Sequence, residues 1–467
     1  MEGQRNGHRE PPTAYEEYAA RLAPSWGQFI VWSAGAGGLL WALVADFELT
    51  LILMIFAVQL GFLISAGWRG LLLAASLKPP VPSPGLSDLP RYSILIALFR
   101  EAEVVGQLIE RLSRIDYPAD RLEGFLILET DDPETRNAVN TLVLPDWLSV
   151  ITAPVGAPQT KPRALNVGLA LATGELLTVY DAEDDPDPMQ LREAAARFAA
   201  EDAFDLWALQ APLRIQPPEV TDSPFLDRQF AIEYASLFDV TLPGLARLGL
   251  PFPLGGTSNH FRVAALQAVG GWDEHNVTED ADMGFRLWRA GGRLGVLTRP
   301  THEPPPGNLE HWLPQRTRWL KGYMQTWGVH TRDVRGLGWS GGVSLALTVG
   351  TALASAAVHA PSLSWLLSTV MIAMAADLPP ETPAFALGVL MIGALAAWVN
   401  AAIGCRRAGM SYTISDMVSA PAYWSLLSLA FAHAAWRLVT EPFAWDKTRH
   451  FAQAGLPATA MAGREAG

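Results

Sequence analysis

The sequence contains a single cysteine, Cys405, so the chain cannot close a disulfide on itself and the redox state of its compartment leaves no mark. Charge is scarce as well. Only 17% of the 467 residues are Asp, Glu, Lys or Arg, against ~25% in a typical soluble domain. The charge that is present runs acidic, with a formal net of −13. A nucleic-acid binder presents a basic face, and this balance argues against one. The first 25 residues are polar and lack an apolar core with a small-residue cleavage site, so no cleavable signal peptide is expected. Internal repeats are also missing.

The charge deficit is concentrated. Residues 22–45, 49–68, 336–376, 382–405 and 417–436 contain no Asp, Glu, Lys or Arg. A membrane span takes about 20 predominantly apolar residues. The third stretch is long enough for two, with a break near His359-Ala360-Pro361. Two spans are therefore expected before the central region and four after it. A buried core helix is the alternative for any one stretch, but not for the set. The turn of the first hairpin, Asp46-Phe47-Glu48, carries no positive charge, while Arg21 precedes the hairpin and Arg69 and Lys78 follow it. The excess of positive charge on the flanks places them, and the central region, in the cytoplasm. Four later spans would put Arg406 and Arg407 outside, against the same rule. Either that loop breaks the rule, or one stretch is re-entrant or interfacial.

The central region follows a Pro-rich linker and alternates short apolar runs with helical patterns. Strands are predicted at residues 93–99, 125–128, 149–153, 176–180, 206–213 and 294–298, and helices at 103–115, 162–172 and 188–200. This pattern predicts an α/β domain with a largely parallel sheet, which binds ligands beyond the carboxyl ends of its strands.

Four motifs in this region carry chemistry. Glu129-Thr130-Asp131-Asp132 follows a predicted strand and suits either a nucleotide contact or a solvated turn before Pro133. Asp181 and Glu183, one residue apart after another buried strand, suit a hard divalent cation, or an acidic cap for the next helix. Thr278-Glu279-Asp280 opens a helix, so it either caps that helix or supplies Asp280 as a general base. Gln315-Arg316-Thr317-Arg318-Trp319 lies on an amphipathic helix. There Arg318 suits a diphosphate and Trp319 a sugar face, while Trp312, Tyr323 and Trp327 suit a membrane interface.

In this order and spacing, the motifs resemble the processive membrane branch of the family 2 glycosyltransferases, which includes cellulose synthase-like and XagB-like exopolysaccharide enzymes. Gln315-x-x-Arg318-Trp319 is the most specific element. Residues 252–260, Gly270-Gly271-Trp272-Asp273 and Lys161-Pro162-Arg163-Ala164-Leu165-Asn166 are similar to further family segments. The resemblance implies a GT-A (Rossmann-like) catalytic domain inserted between transmembrane helices, and inverting transfer. It implies Asp280 as catalytic base, Asp181 and Glu183 as ligands for Mg2+ or Mn2+, and Glu101, Asp131, Asp132, Lys161 and Arg318 at the nucleotide-sugar. Gly256, Thr278, Glu279, Gln315 and Trp319 fall to the acceptor, and Lys447 and Thr448 to a gating loop. Ala97-Leu98-Phe99-Arg100-Glu101 departs from the family's usual Pro-x-Tyr-Asn-Glu, and Glu183 stands where a second Asp is usual.

The expected organisation is a tail (1–25), a membrane hairpin (26–76), a linker (77–90), the GT-A domain (91–307), an interfacial helix (308–335), about four membrane helices (336–439) and a gating segment with tail (440–467). The expected activity is transfer from a UDP-sugar, UDP-glucose by family frequency, to a growing exopolysaccharide that the enzyme exports. Transfer of one sugar to a lipid is the alternative, and a non-enzymatic transporter or scaffold is a more distant one. The expected location is the bacterial inner membrane, with the catalytic domain cytoplasmic. Expected partners are membrane lipid and export or regulatory subunits, with no nucleic acid.

Overall fold

In the computed structural model, which describes residues 23–78, 85–86, 88–200, 204–216, 221–377 and 381–444 together with Ala19, the first two apolar stretches form a helical hairpin. Helix α1 (Trp26–Ala45) begins in a capping box between Ser25 and Gln28, and α2 (Phe47–Ser76) is capped by Asp46. Large apolar side chains such as Trp41, Val44 and Ile52 point outward. Water penalises such a surface and hydrocarbon does not.

The central domain then alternates. Strand β1 (Tyr92–Leu98), α3 (Val105–Leu112), β2 (Leu122–Glu129), α4 (Pro133–Asn140), β3 (Leu148–Ala153), α5 (Lys161–Leu171) and β4 (Leu176–Val179) follow one another. After β5 (Asp185–Pro186) and α6 (Gln190–Ala199) come β6 (Leu206–Gln210) and β7 (Leu213–Ile215). Residues 206–213, expected as one strand, are therefore split. The turn at Ala211 and Pro212 sends β7 into a second, three-stranded sheet of order β5-β10-β7, where β10 is Thr301–Glu303. The main sheet has the order β3-β2-β1-β4-β8-β6-β9. Its strand β8 (Asn259–Arg262) runs antiparallel to β4 and β6, while β9 (Arg293–Val296) runs parallel to β6. Strands β1 and β2 are buried for nearly their whole length, which explains their unbroken apolar runs.

One segment gave no signal in the sequence. Helix α7 (Pro224–Ser236), a π turn (Leu237–Thr241) and α8 (Leu242–Arg247) form a continuous rod. It wedges between the sheet and the apolar helices. A Cβ on Gly244 would collide with the backbone of Leu72 in α2, so only glycine allows this approach. Helices α9 (Val263–Ala268) and α10 (Glu279–Arg289) complete the domain.

The C-terminal part differs from expectation in two ways. After α11 (Leu309–His330), helices α12 (Gly338–Leu345) and α13 (Thr351–Ala375) join through a π turn (Ala346–Gly350) into one run. Pro361 lies inside α13 and does not end it; beside it, Ala360 N–H donates to Ser428 Oγ. One helix thus stands where two spans and a break were expected. The second difference concerns α15 (Ile414–Thr440), which runs beside α11. Thr317 Oγ1 lies 3.0 Å from His433 Nδ1, and Trp312 Nε1 donates to Tyr423 Oη at 3.3 Å. The start of α15 is held by Arg228 of α7 through Asp416, and its end by Lys321 of α11 through Glu441 O. Helix α15 is not among the helices of the described residues that are long and apolar enough to cross a membrane.

Among the described residues, four helical segments are long and apolar enough to cross a membrane: α1, α2, one within Leu309–Ala375, and α14 (Glu381–Arg407). Arg407 donates to Ser76 O at 2.7 Å and to Asp239 O at 2.6 Å. The end of α14 thus returns to the end of α2, against the domain.

Candidate active site

The chain ends of β1, β2 and β4 open into a cleft of about 220 Å3. Its polar side is assembled from four segments. At the start of α5, Lys161 pairs with Asp181 and donates to Gly256 O at 2.7 Å, tying three loops together. Burial alone would lower its pKa, but the Asp181, Glu279 and Asp280 carboxylates raise it above the ordinary lysine value, so it stays charged. A Cβ on Gly256 would lie 3.8 Å from Asp280 Oδ2 and 4.0 Å from Asp181 Oδ2. Bare backbone therefore separates these two carboxylates.

Glu279 and Asp280 begin α10. Thr278 does not cap the helix with its hydroxyl; its N–H donates to Asn276 Oδ1 at 3.0 Å. Burial, then the adjacent Asp280 carboxylate, push Glu279 up to about 8, while Lys161 and Arg318 oppose the shift. Burial also raises Asp280, against the same two cations. Both carboxyls are therefore pushed towards their protonated forms, and they titrate as a coupled pair.

Helix α11 lays Gln315, Arg318, Trp319 and Tyr323 along the cleft. It reaches Thr278 because residue 322 is glycine: a Cβ there would collide with the Thr278 hydroxyl. Trp319 is held from behind. The Arg316 guanidinium sits 4.4 Å from its ring centroid, fixed by two hydrogen bonds to Glu233 at 2.8 and 2.6 Å.

The two residues expected at a metal, Asp181 and Glu183, both reach the cleft, with the Asp181 carboxylate paired to Lys161. Behind them, burial and then the Asp181 and Glu183 carboxylates hold Asp184 well above the usual carboxylate range. Glu303 is raised the same way, by burial and then by Asp184, Glu183 and Asp181. Such crowding of oxygen donors favours a hard divalent cation. Among the described residues, however, no group of three or more His, Cys, Asp or Glu side chains is arranged to hold an ion by itself.

Not every expected residue faces the cleft. Glu101 lines it, but Asp131 and Asp132 do not. The Asp132 carboxylate accepts from Thr135 N and Arg100 N, capping α4, and Asp131 accepts from Gln159 Nε2 at 2.7 Å. Glu129 lines the cleft but is gripped by Arg163. Lys447 and Thr448 lie outside the described residues. Sequence reasoning missed Glu303 and an apolar wall of Tyr234, Leu237, Phe238 and Leu242. Glu303 lies in no recognised motif, and the wall belongs to the unpredicted α7–α8 rod.

Comparison with known proteins agrees with this geometry. The chain is 26% identical over 264 residues to the probable glycosyltransferase YdaM of Bacillus subtilis, covering 56% of this chain and 61% of the relative. It is 26% identical over 271 residues to a beta-monoglucosyldiacylglycerol synthase of Synechocystis sp., covering 53% and 52%. The chain thus spans a little over half the length of these relatives. Among solved structures, the mannosyltransferase PcManGT of Pyrobaculum calidifontis, in complex with GDP-Man and Mn2+, superimposes with a TM-score of 0.53 at 18% identity, over 82% of this chain and 99% of that one. This likeness concerns the fold, which is GT-A with flanking apolar helices. The model of glycosyl transferase family group 2 matches residues 176–431, more than half of the chain, and the protein belongs to that family.

Proposed function

We propose that this protein is a membrane-embedded, inverting glycosyltransferase that moves one sugar from a nucleotide-sugar, first of all a UDP-sugar, to a hydroxyl of a lipid. The observation that carries this reading is the two-sided cleft. Lys161, Asp181, Asp280 and Arg318 line one side, and Tyr234, Leu237, Phe238 and Leu242 the other. The apolar side is built by the rod seated on α2 and α14, at the level where those helices end. The names of the cyanobacterial relatives point the same way. Among the described residues, four helices are long and apolar enough to cross a membrane, against the six expected from sequence.

In this reading α1 and α13 leave the cytoplasm, α2 and α14 return, and α11 and α15 lie along the cytoplasmic face of a bacterial inner membrane. Asp280 takes the proton of the acceptor hydroxyl as its oxygen bonds the anomeric carbon. The bond from that carbon to the diphosphate breaks on the opposite face. Arg318 receives the departing diphosphate charge, and Lys161 keeps Asp181 and Gly256 in place. Asp181 and Glu183 would hold a divalent cation, Mg2+ or Mn2+, which when bound neutralises diphosphate charge. The Mn2+ in the PcManGT complex supports that requirement.

A second reading, polymer synthesis with export, is favoured by Trp319 with Phe230 and Tyr234 beside it, an aromatic cluster suited to sugar rings. The product decides between them. Purified protein given radiolabelled UDP-glucose and diacylglycerol is expected to yield a chloroform-soluble product carrying one sugar. An alcohol-insoluble polymer formed without added lipid would overturn the lipid reading and establish the second.

A further inference from the structure

A second cavity of about 230 Å3 lies behind the cleft. Phe238 borders both. Strand β7 alternates between them, with Leu213 on the cleft and Arg214 on the cavity. The π turn contributes Asp239 to the cavity, and α14 contributes its last residue, Arg407.

The charge here is unbalanced. Two guanidinium groups face one carboxylate. Arg214 Nη2 donates to Asp239 Oδ1 at 3.1 Å and to Arg407 O at 3.3 Å. Arg407 spends its Nη1 and Nη2 on Ser76 and on Asp239 O. Arg214 Nε and Asp239 Oδ2 are both buried with no hydrogen-bond partner among the described residues. A buried donor on a cation calls for an anion. The position indicates which kind. Ser76 ends α2 and Arg407 ends α14, so the cavity sits where two membrane helices meet the water. Basic pockets at that depth between membrane helices bind lipid head groups.

We propose that this cavity binds the phosphodiester of an anionic membrane lipid, with Arg214 and Arg407 as donors, as a site separate from the acceptor position. The chemistry is that of a phosphate oxygen pair on an arginine fork, and the source is the bilayer. Bound lipid braces the π turn, whose Phe238 forms part of the cleft wall, so occupancy supports both stability and transfer. The proposal rests on the membrane reading of α2 and α14.

The test uses full-length protein in vesicles of phosphatidylcholine alone or mixed with phosphatidylglycerol. Flotation with both compositions checks the membrane reading separately. Phosphatidylglycerol is expected to raise the melting temperature of the wild type saturably. Arg214→Gln is expected to weaken the apparent affinity for phosphatidylglycerol about fivefold. Inorganic phosphate added to phosphatidylcholine vesicles is expected to leave the melting temperature where it was. Absence of a wild-type shift, a full shift in Arg214→Gln, or a shift given by inorganic phosphate each overturns the lipid site. Should Arg214→Gln fail to fold, native mass spectrometry of the wild type offered both lipids in equal amounts decides. Preferential retention of phosphatidylglycerol supports the site, and equal retention overturns it.

Discussion

Around Gly256, Lys161 and Arg318 share a small space with Asp181, Glu279 and Asp280. Their mutual charges decide which carboxylate is ionised. Asp280 lines the cleft as the proposed base, so Asp280→Asn is expected to lower kcat by about 100- to 10,000-fold while nucleotide-sugar affinity persists; near-normal turnover would remove it as base. Glu279 plays the other part. Its ordinary pKa is 4.5 and its folded value about 8, so the folded protein keeps a proton that the unfolded chain loses between those values. Stability from this group is complete below pH 4.5 and lost as pH rises through about 8. In Glu279→Gln the melting temperature is expected to vary less over that window than in the wild type, and an unchanged slope would deny Glu279 its proton. At this scale the sequence is readable where chemistry sits just after a buried strand or at a helix start, as with Asp181 and Asp280. It is ambiguous where one carboxylate suits two tasks. Asp131-Asp132 reads as a nucleotide contact, yet Asp132 turns inward to satisfy the N–H groups of Thr135 and Arg100.

Elements bring distant motifs together through close contacts. Gly322 lets α11 touch Thr278, which places Arg318 and Trp319 opposite Asp280. In Gly322→Val the added atoms must displace one helix, with an expected cost of about 1–3 kcal/mol in stability. Transfer is expected to fall more than nucleotide-sugar binding, since the two halves of the site part. Equal activity with an unshifted melting temperature would show that the two helices are not in contact. The strands were legible because short apolar runs between polar turns have few other uses. The α7–α8 rod was not, since most of α7 is buried on all sides and shows no amphipathic period. The same reasoning explains α13. A proline reads as a break, but an outside hydroxyl beside it eases the local loss of a helical hydrogen bond.

For the whole molecule, helix count decides how the chain sits in a membrane. The apolar stretches were visible from composition alone. Whether each crosses a bilayer was not, because α15 and a true span share the same residue types. In the proposed reading, what separates them is tertiary: Arg228 and Lys321 tie the two ends of α15 to α7 and α11. The buried Cys405 leaves the chain free of exposed thiols among the described residues, so single reporters are clean. In intact cells, Asp377→Cys is expected to react with an impermeant maleimide and Gly409→Cys to react only after lysis. The reverse pattern would invert the topology, and equal labelling would deny that α14 crosses.

The rod that walls the cleft has a kinetic consequence. Under the proposed lipid reading, an acceptor that enters along Tyr234 and Phe238 comes from within a sheet of lipid rather than from bulk solution. Its supply is then measured per area. Diluting the suspension leaves each enzyme with the same neighbours, whereas spreading the acceptor among inert lipids starves it. For such a catalyst, the Michaelis constant is a mole fraction.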